Sequence, residues 1–517
     1  MQPAQAPEIP VLVGIGDIND RDAKGRDDAA EPLTLMLRAI GAAIQDTALP
    51  PEAAQKLQAA IESVAVVANW TWPYPNTPEL VVQRLGLPGI VHTHESHHGG
   101  DSPGQLFDEA ARRVAYRRSK VALITGAEAL ASLESFQKAK KFPPPHWTKL
   151  DDYTPFWERK RPEDVGRRHF LGAPLQVYPL YEAAFRAHLQ QKLPDNHKES
   201  ADLYAGFAQI AAKSPYSWSY GKEPETAESI GTVTKRNRMI CSPYPLLMNA
   251  FNTVNLAAAC IITTTTFAKE LGIPEAKWIY PLGGAGTSDS ARFWERPYFH
   301  QSRSLTQSLD AALKASNLQV EDIDLFDFYS CFPIVPKLAA HHLNLPLHGP
   351  KPITVLGGLT SFGGAGNNYS MHALTEVTRQ LRTKKQSANR THGLVLANGG
   401  VLSYHHTVIL STHPRSDSTY PAWNPLPSKL DEDHPVIEES ANGAGVIETY
   451  TVQYGRDGSP VLGFVIGRLD SGHRFVANVE DAYTLQQLSG GTEQVGKRGQ
   501  ATSEGGRNLF VFEQSKM

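Results

Sequence analysis

The sequence predicts an α/β protein made of two similar halves, followed by a small antiparallel β module. Three observations carry this expectation. Apolar runs such as EIPVLVGIGD (8–17), SVAVVAN (63–69) and VALITGA (121–127) read as buried strands, and they alternate with helical stretches as in a largely parallel sheet. A second series repeats the order strand, glycine loop, helix, strand, from DIDLFDFYSCF (322–332) through ITVLGGLTSFGGAGNNYSMHALTEVTRQLR (353–382) to GLVLANGGVLSYHHTVILS (393–411). Beyond residue 436, strand-length runs are separated by Gly-Arg-Asp-Gly and Asp-Ser-Gly turns, as in a small OB-like barrel.

In chain order, the first half spans 1–135, with an amphipathic helix at Leu33–Thr47 and a glycine-lined helix start, HHGGDSPGQLFDEAARRV, from His97. There Asp101 and Ser102 are N-cap candidates, Pro103 suits the first turn, and Leu106, Phe107, Ala110, Ala111 and Val114 have helical spacing. From 136 to 250 the chain is rich in Pro, Trp, Tyr and basic residues and reads as an inserted lobe with helices such as YPLYEAAFRAHLQQKL. Residues 251–413 return to strands and helices, completing the first half and forming the second. A Pro- and Ser-rich linker is expected at 414–435, the β module at 436–495 and a flexible tail at 496–517.

At 517 residues, with 41% hydrophobic and 20% charged residues, the chain reads as a soluble globular protein of several structural units. A formal net charge of -3 gives no case for nucleic-acid binding, and no apolar run is long enough to suggest a membrane span. Three cysteines, Cys241, Cys260 and Cys331, suit a reducing compartment and lack metal-pair spacing. The terminal Ser515-Lys516-Met517 differs from the S-K-L peroxisomal address only by Leu→Met, so the expected location is the peroxisome, by way of its import receptor, or otherwise the cytoplasm.

VLVGIGD at the start, GGDSPGQLFDEAA followed by VALITGAEAL, SPYSW (214–218), FYSCF, GGLTSFGGAGNNYSMHA and the ANGG turn together resemble the thiolase superfamily over residues 8–413. The chain is most similar to sterol-carrier-protein-type thiolases and to the thiolase-like proteins often called acetyl-CoA acetyltransferases, and its added C-terminal β module is similar to that of the thiolase-like proteins. The resemblance implies duplicated halves in five layers, α-β-α-β-α, an inserted loop domain that holds coenzyme A, and a homodimer. It also implies acyl transfer, or carbon–carbon condensation or cleavage, on acyl-CoA thioesters in lipid or polyketide-like metabolism. The other reading is an acyl-CoA- or lipid-binding protein that keeps the pocket without the chemistry.

The reactive groups of the family carry over only in part. The nucleophile loop aligns with GGDSPG, so the acyl-accepting cysteine falls on Gly100 or Asp101, neither of which can form a thioester. The HDCF loop aligns with Tyr329-Ser330-Cys331-Phe332: its cysteine is kept as Cys331, while its histidine has become Tyr329. The GHP loop aligns with Gly363-Gly364-Ala365 and the final CxG loop with Ala397-Asn398-Gly399. Cys331 is then either a sole nucleophile or an acid/base for a condensation in which the acyl group never attaches to the protein. Asn398, Asn367 and the amides around Gly363, Gly364 and Gly399 are expected to hold an oxyanion or a pantetheine arm. His98 is a candidate base beside the missing nucleophile, Ser102 the nearest hydroxyl and candidate cap, and Lys140 and Lys141 are candidate partners for coenzyme A phosphates. The histidine-rich VHTHESHH reads as a polar loop rather than a metal site, and no tightly bound cofactor is expected.

Overall fold

A computed structural model describes residues 7–23, 25–155, 158, 163–385, 390–431 and 433–512. The first half and lobe contribute β1 (Pro10–Asn19), β2 (Ile61–Val66), β3 (His92–Glu95), β4 (Val121–Ala129), β5 (Met239–Cys241), β6 (Tyr244–Pro245) and β7 (Asn255–Thr264). The second half contributes β8 (Tyr280–Ser288), β9 (Leu325–Phe328), β10 (His392–Gly399) and β11 (Tyr404–Ser411). The C-terminal module contributes β12 (Gly443–Tyr454), β13 (Pro460–Leu469), β14 (Arg474–Val479), β15 (Arg498–Glu504) and β16 (Arg507–Val511).

The duplication shows in the sheets. The first runs β1-β7-β4-β2-β3, with β2 parallel to β3 and β4, and β7 antiparallel to β1 and β4. The second runs β8-β11-β10-β9, with β9 and β10 parallel and β11 antiparallel to both its neighbours. It is the same order without the outermost strand. At that edge Ile353 accepts the Phe328 N–H at 3.0 Å. The helices Ser102–Ala115 and Tyr369–Lys384 lie between the sheets, Pro32–Asp46 covers the outer side of the first, and Arg303–Ala315 and Ile334–His342 cover that of the second. This is the expected five-layer order.

Every residue of β4 and β7 is buried because both faces of the first sheet are covered. Alternate residues serve the two sides: Leu256, Ala258, Cys260 and Ile262 pack into the central layer, and Ala257, Ala259 and Ile261 against the outer helices. Cys260 is thus a core thiol, its pKa pushed far up by burial.

The lobe is fixed to the second half by buried charge. Lys337 Nζ lies 3.0 Å from Glu182, 3.1 Å from Glu199 and 2.8 Å from the Ser200 hydroxyl, while Tyr244 donates to Glu182 at 2.5 Å. The lobe helix Pro174–His188 also packs against the C-terminal module, whose strands follow the order β13-β14-β16-β15-β12 and close through β12–β13 into a five-stranded barrel. The lobe strand β5 pairs with β12 at Cys241 and Gln453.

Three sequence expectations change. The tail expected from 496 forms β15 and β16 instead, two of the five barrel strands, joined by Gly505 and Gly506 at φ 57° and 82°. Positive φ at both turn positions is what a tight hairpin needs and glycine supplies. The linker is a packed strap: Tyr420 is fully buried and donates to Asp108 at 2.7 Å. The histidine-rich loop contains β3, where His92 Nδ1 lies 3.1 Å from the Ser63 hydroxyl. Ser515-Lys516-Met517, and Arg159, Lys160 and Arg161 of the basic segment, lie outside the described residues. Among the described residues no helix is long and apolar enough to cross a membrane.

Candidate functional site

The parallel pairing of β9 with β10 sets the site. It carries Tyr329-Ser330-Cys331-Phe332, beyond the end of β9, alongside Asn398 near the end of β10, with Tyr329 N–H donating to Leu396 at 3.0 Å. Ser330 is held from both directions, its carbonyl accepting the Tyr204 hydroxyl and the Leu359 N–H, both at 3.2 Å.

Over this pair the lobe helix places Tyr178, stacked on Phe332 with ring centroids 4.6 Å apart. The Tyr178 hydroxyl accepts Asn398 Nδ2 at 2.9 Å, donates to the Gly400 carbonyl at 3.2 Å and lies within hydrogen-bond reach of the Cys331 thiol. Asn398 Nδ2 also lies 3.8 Å from Cys331 Sγ. The thiol is buried, which pushes its pKa up to about 12, while Tyr178, two backbone amides and Asn398 pull the other way by hydrogen bonding its anion. Cys331 therefore rests protonated. Burial and the neighbouring thiol raise Tyr178 and Tyr329 well above the ordinary phenol range. Asn398 Oδ1 is buried with no hydrogen-bond partner among the described residues, an acceptor left open in the site.

The helix start at His97 closes the other side. A Cβ on Gly100 would overlap the Asn398 carbonyl oxygen and lie 2.7 Å from the Tyr329 hydroxyl. At Gly100, one of the two positions to which the resemblance brings the acyl-accepting cysteine, a side chain would thus meet groups from the second half. Asp101 is buried beside Gly99 and Gly399, 3.2 Å from His97 Nε2, whose pKa the carboxylate raises. Ser102 is not the cap: it is the first residue of the helix, and its hydroxyl donates to the His97 carbonyl at 3.1 Å.

The glycine loop behaves differently from expectation. Gly364 already donates its N–H to the Phe251 carbonyl at 2.7 Å, so it is not free for an oxyanion; Gly363, at φ 112°, packs against Val254, Trp218 and Leu256. Asn367 accepts the Trp70 indole at 3.1 Å and donates to the Ala68 carbonyl at 2.7 Å, so its Nδ2 is the atom facing His98 Nδ1 at 3.1 Å. With Nδ1 accepting, a neutral His98 carries its proton on Nε2. Behind the loop, Glu128 is fully buried, accepts three hydrogen bonds from Trp70 and Thr71, and is raised by burial to about 7.

Cys331, Tyr329, Asn398 and Gly399 come together with Gly100 at the opening helix, while His98 and Asn367 stand at that helix start. Lys140 and Lys141 do not join them. Both are exposed beside Phe142, which packs on Trp72 in the outer layer of the first half, and Lys141 pairs with Asp27 at 2.6 Å. His405 and His406 serve internal networks, with Ser304 at 2.8 Å and Asp108 at 2.8 Å. No group of three or more His, Cys, Asp or Glu among the described residues is arranged to hold a metal. Sequence reasoning missed Tyr178, Tyr204 and the Lys337 cluster; the one available signal was the run of aromatic and acidic residues in YPLYEAAF.

Comparisons with known proteins agree with this arrangement. Residues 425–506 match the family model for the thiolase-like protein type 1 additional C-terminal domain, and residues 285–412 match the thiolase C-terminal domain-like model. No curated protein sequence matches the chain. Among solved structures, a monomeric SCP2-thiolase-like protein type 1 from Mycobacterium smegmatis superposes with a TM-score of 0.81 at 30% identity, covering 98% of this chain and all (100%) of that one. The dimeric peroxisomal thiolase of Saccharomyces cerevisiae gives 0.56 at 14% identity, over 78% of this chain and 98% of its own. An Ltp2–ChsH2(DUF35) aldolase gives 0.55 at 17% identity, again over 78% of this chain and 98% of its own. The chain belongs to the SCP2-thiolase-like proteins of type 1, thiolase-fold proteins with an added C-terminal domain.

Proposed function

We propose that this protein makes or breaks a carbon–carbon bond in an acyl-coenzyme A thioester without ever carrying the acyl group itself. What supports it is the crowding at Gly100, one of the two positions to which the resemblance brings the acyl-accepting cysteine, set beside the buried Cys331 thiol with Tyr178 and Asn398 around it. A thiol at about 12 is a poor nucleophile at neutral pH but a serviceable acid where its anion is stabilised. The chemistry that fits is aldol-type. In the cleavage direction, the C3 hydroxyl of a 3-hydroxyacyl thioester gives its proton to Asp101, the buried carboxylate at the helix start. The C2–C3 electron pair passes into the thioester as an enolate, and Cys331 protonates C2, with Tyr178 and Asn398 steadying the thiolate. Asn398 Oδ1 is an open acceptor for a donor elsewhere on the substrate, such as a pantetheine amide N–H. An aldolase among the fold relatives is in keeping with this reading. The monomeric state of the mycobacterial relative is carried over here in place of the expected homodimer.

The test is incubation of the full chain with 3-hydroxyacyl-CoA thioesters. The expected products are a shorter acyl-CoA and a free carbonyl compound, with Cys331→Ala lowering kcat by roughly a hundredfold or more. The raised thiol also favours a second reading, an acyl-CoA-binding protein without chemistry. Tight coenzyme A binding with no product from any acyl-CoA would establish that reading and end the first.

A further inference from the structure

A cleft of about 690 Å³ lies between the C-terminal part of the lobe helix Leu193–Ala211, the stretch 347–355 and the helix Tyr369–Lys384. We propose that it binds a long-chain fatty carboxylate, independently of the reaction at Cys331. Its volume is within the range of small-molecule sites, and Phe207, Ile210, Leu347 and Val355 make its body apolar. The polar groups point to the kind of head group. Lys213 lines the cleft, is exposed, and has no carboxylate partner among the described residues. The adjacent Ser214 hydroxyl is shielded from solvent and has no hydrogen-bond partner among the described residues. The one acidic lining residue, Glu376, is already engaged by Arg379 at 2.7 Å and Gln380 at 3.0 Å, so it does not neutralise Lys213.

An open cleft with an apolar body, one lysine without a carboxylate partner among the described residues and one unsatisfied hydroxyl, with His348 also on its wall, suits an apolar chain ending in a single carboxylate. A nucleotide or coenzyme A head, with several phosphates, would call for a cluster of cations that is not found here. The site is also separate from the reacting groups. A Cβ on Gly358 would lie 3.0 Å from the Phe207 ring and 3.2 Å from the Ser330 Cβ, so Phe207 and Gly358 stand between the cleft and the Cys331 loop.

Titration calorimetry of the full chain with dodecanoate tests this, with displacement of anilinonaphthalene sulfonate as a second readout. The expected result is saturable one-site binding with a negative heat-capacity change. Ile210→Trp, which fills the cleft, and Lys213→Glu, which reverses the mouth charge, should each weaken binding by about tenfold or more. Methyl dodecanoate should compete far less well than the acid. Melting curves check that the variants fold, and Leu347→Trp on the facing wall replaces Ile210→Trp if that variant does not. Absence of saturable binding at millimolar dodecanoate, wild-type affinity in both variants, or equal competition by the ester would overturn the proposal.

Discussion

The hydroxyl of Tyr178 accepts the side-chain amide of Asn398 at 2.9 Å, joining the lobe to the second half beside the Cys331 thiol. Removing that hydroxyl takes away a donor that can turn from the Gly400 carbonyl to the thiolate, and leaves Asn398 Nδ2 with only the weak sulfur contact at 3.8 Å. Tyr178→Phe should cost about 1–3 kcal/mol of stability, the usual penalty for stranding a buried polar group. It should also raise the thiol pKa further and slow alkylation of Cys331. Iodoacetamide kinetics on the folded protein between pH 8 and pH 10 (roughly the range where thiolate becomes measurable) would show it; an unchanged rate would mean that Tyr178 does not tune the thiol.

Gly100 leaves no room for a cysteine side chain. Its Cβ would overlap the Asn398 carbonyl, a backbone atom that cannot swing aside. Gly100→Cys should therefore destabilise by about 1–3 kcal/mol or more through overpacking. It should gain no acyl-enzyme with acetyl-CoA. Urea denaturation and intact mass measure the two outcomes separately.

Lys337 and Glu182 are both fully shielded from water, so neither tolerates the loss of its partner. Lys337→Met should destabilise by roughly 3–5 kcal/mol because an uncompensated carboxylate remains inside. The double variant Lys337→Met with Glu182→Gln should recover a large part of that loss. Thermal melts of the two single variants and the pair form the cycle that tests this.

Asp327 gives the protein a defined pH dependence. Burial raises its carboxyl to about 7, although Thr354 and the amides of Val355 and Leu356 all donate to Oδ1. A carboxyl held above its unfolded value stabilises the fold fully below that unfolded value, and the contribution is lost as pH rises toward about 7. The cost on the alkaline side is on the order of a few kcal/mol. Asp327→Asn keeps an Oδ1 acceptor but cannot ionise. Its melting temperature should gain on wild type by a few degrees near pH 8 (roughly one unit above the folded value), and that advantage should shrink steadily as pH falls from about 7 toward about 4.

The duplicated halves were legible because buried strands declare themselves as apolar runs, and Cys331 and Asn398 because each sits where such a run ends. Tyr178 was not legible: its contact with Asn398 joins residues 220 positions apart, and nothing local in the lobe specifies it. His98 was legible as a polar residue near the site, but its contact with Asn367 from the other half was not. That Lys140 and Lys141 stand in the outer layer, away from the Cys331 loop, was not legible, because a run of charge says nothing about which face of a domain it covers. The last two barrel strands were hidden by polar composition, although Gly505-Gly506 between them is a hairpin turn signal that can be read from sequence.

The central claim is that the acyl group never becomes attached to the protein. Intact-protein mass spectrometry on samples quenched during turnover of a 3-hydroxyacyl-CoA tests it most directly. The account predicts released product with no mass increase on the chain at any time. A transient acyl adduct that maps to Cys331 and disappears in Cys331→Ser would contradict it.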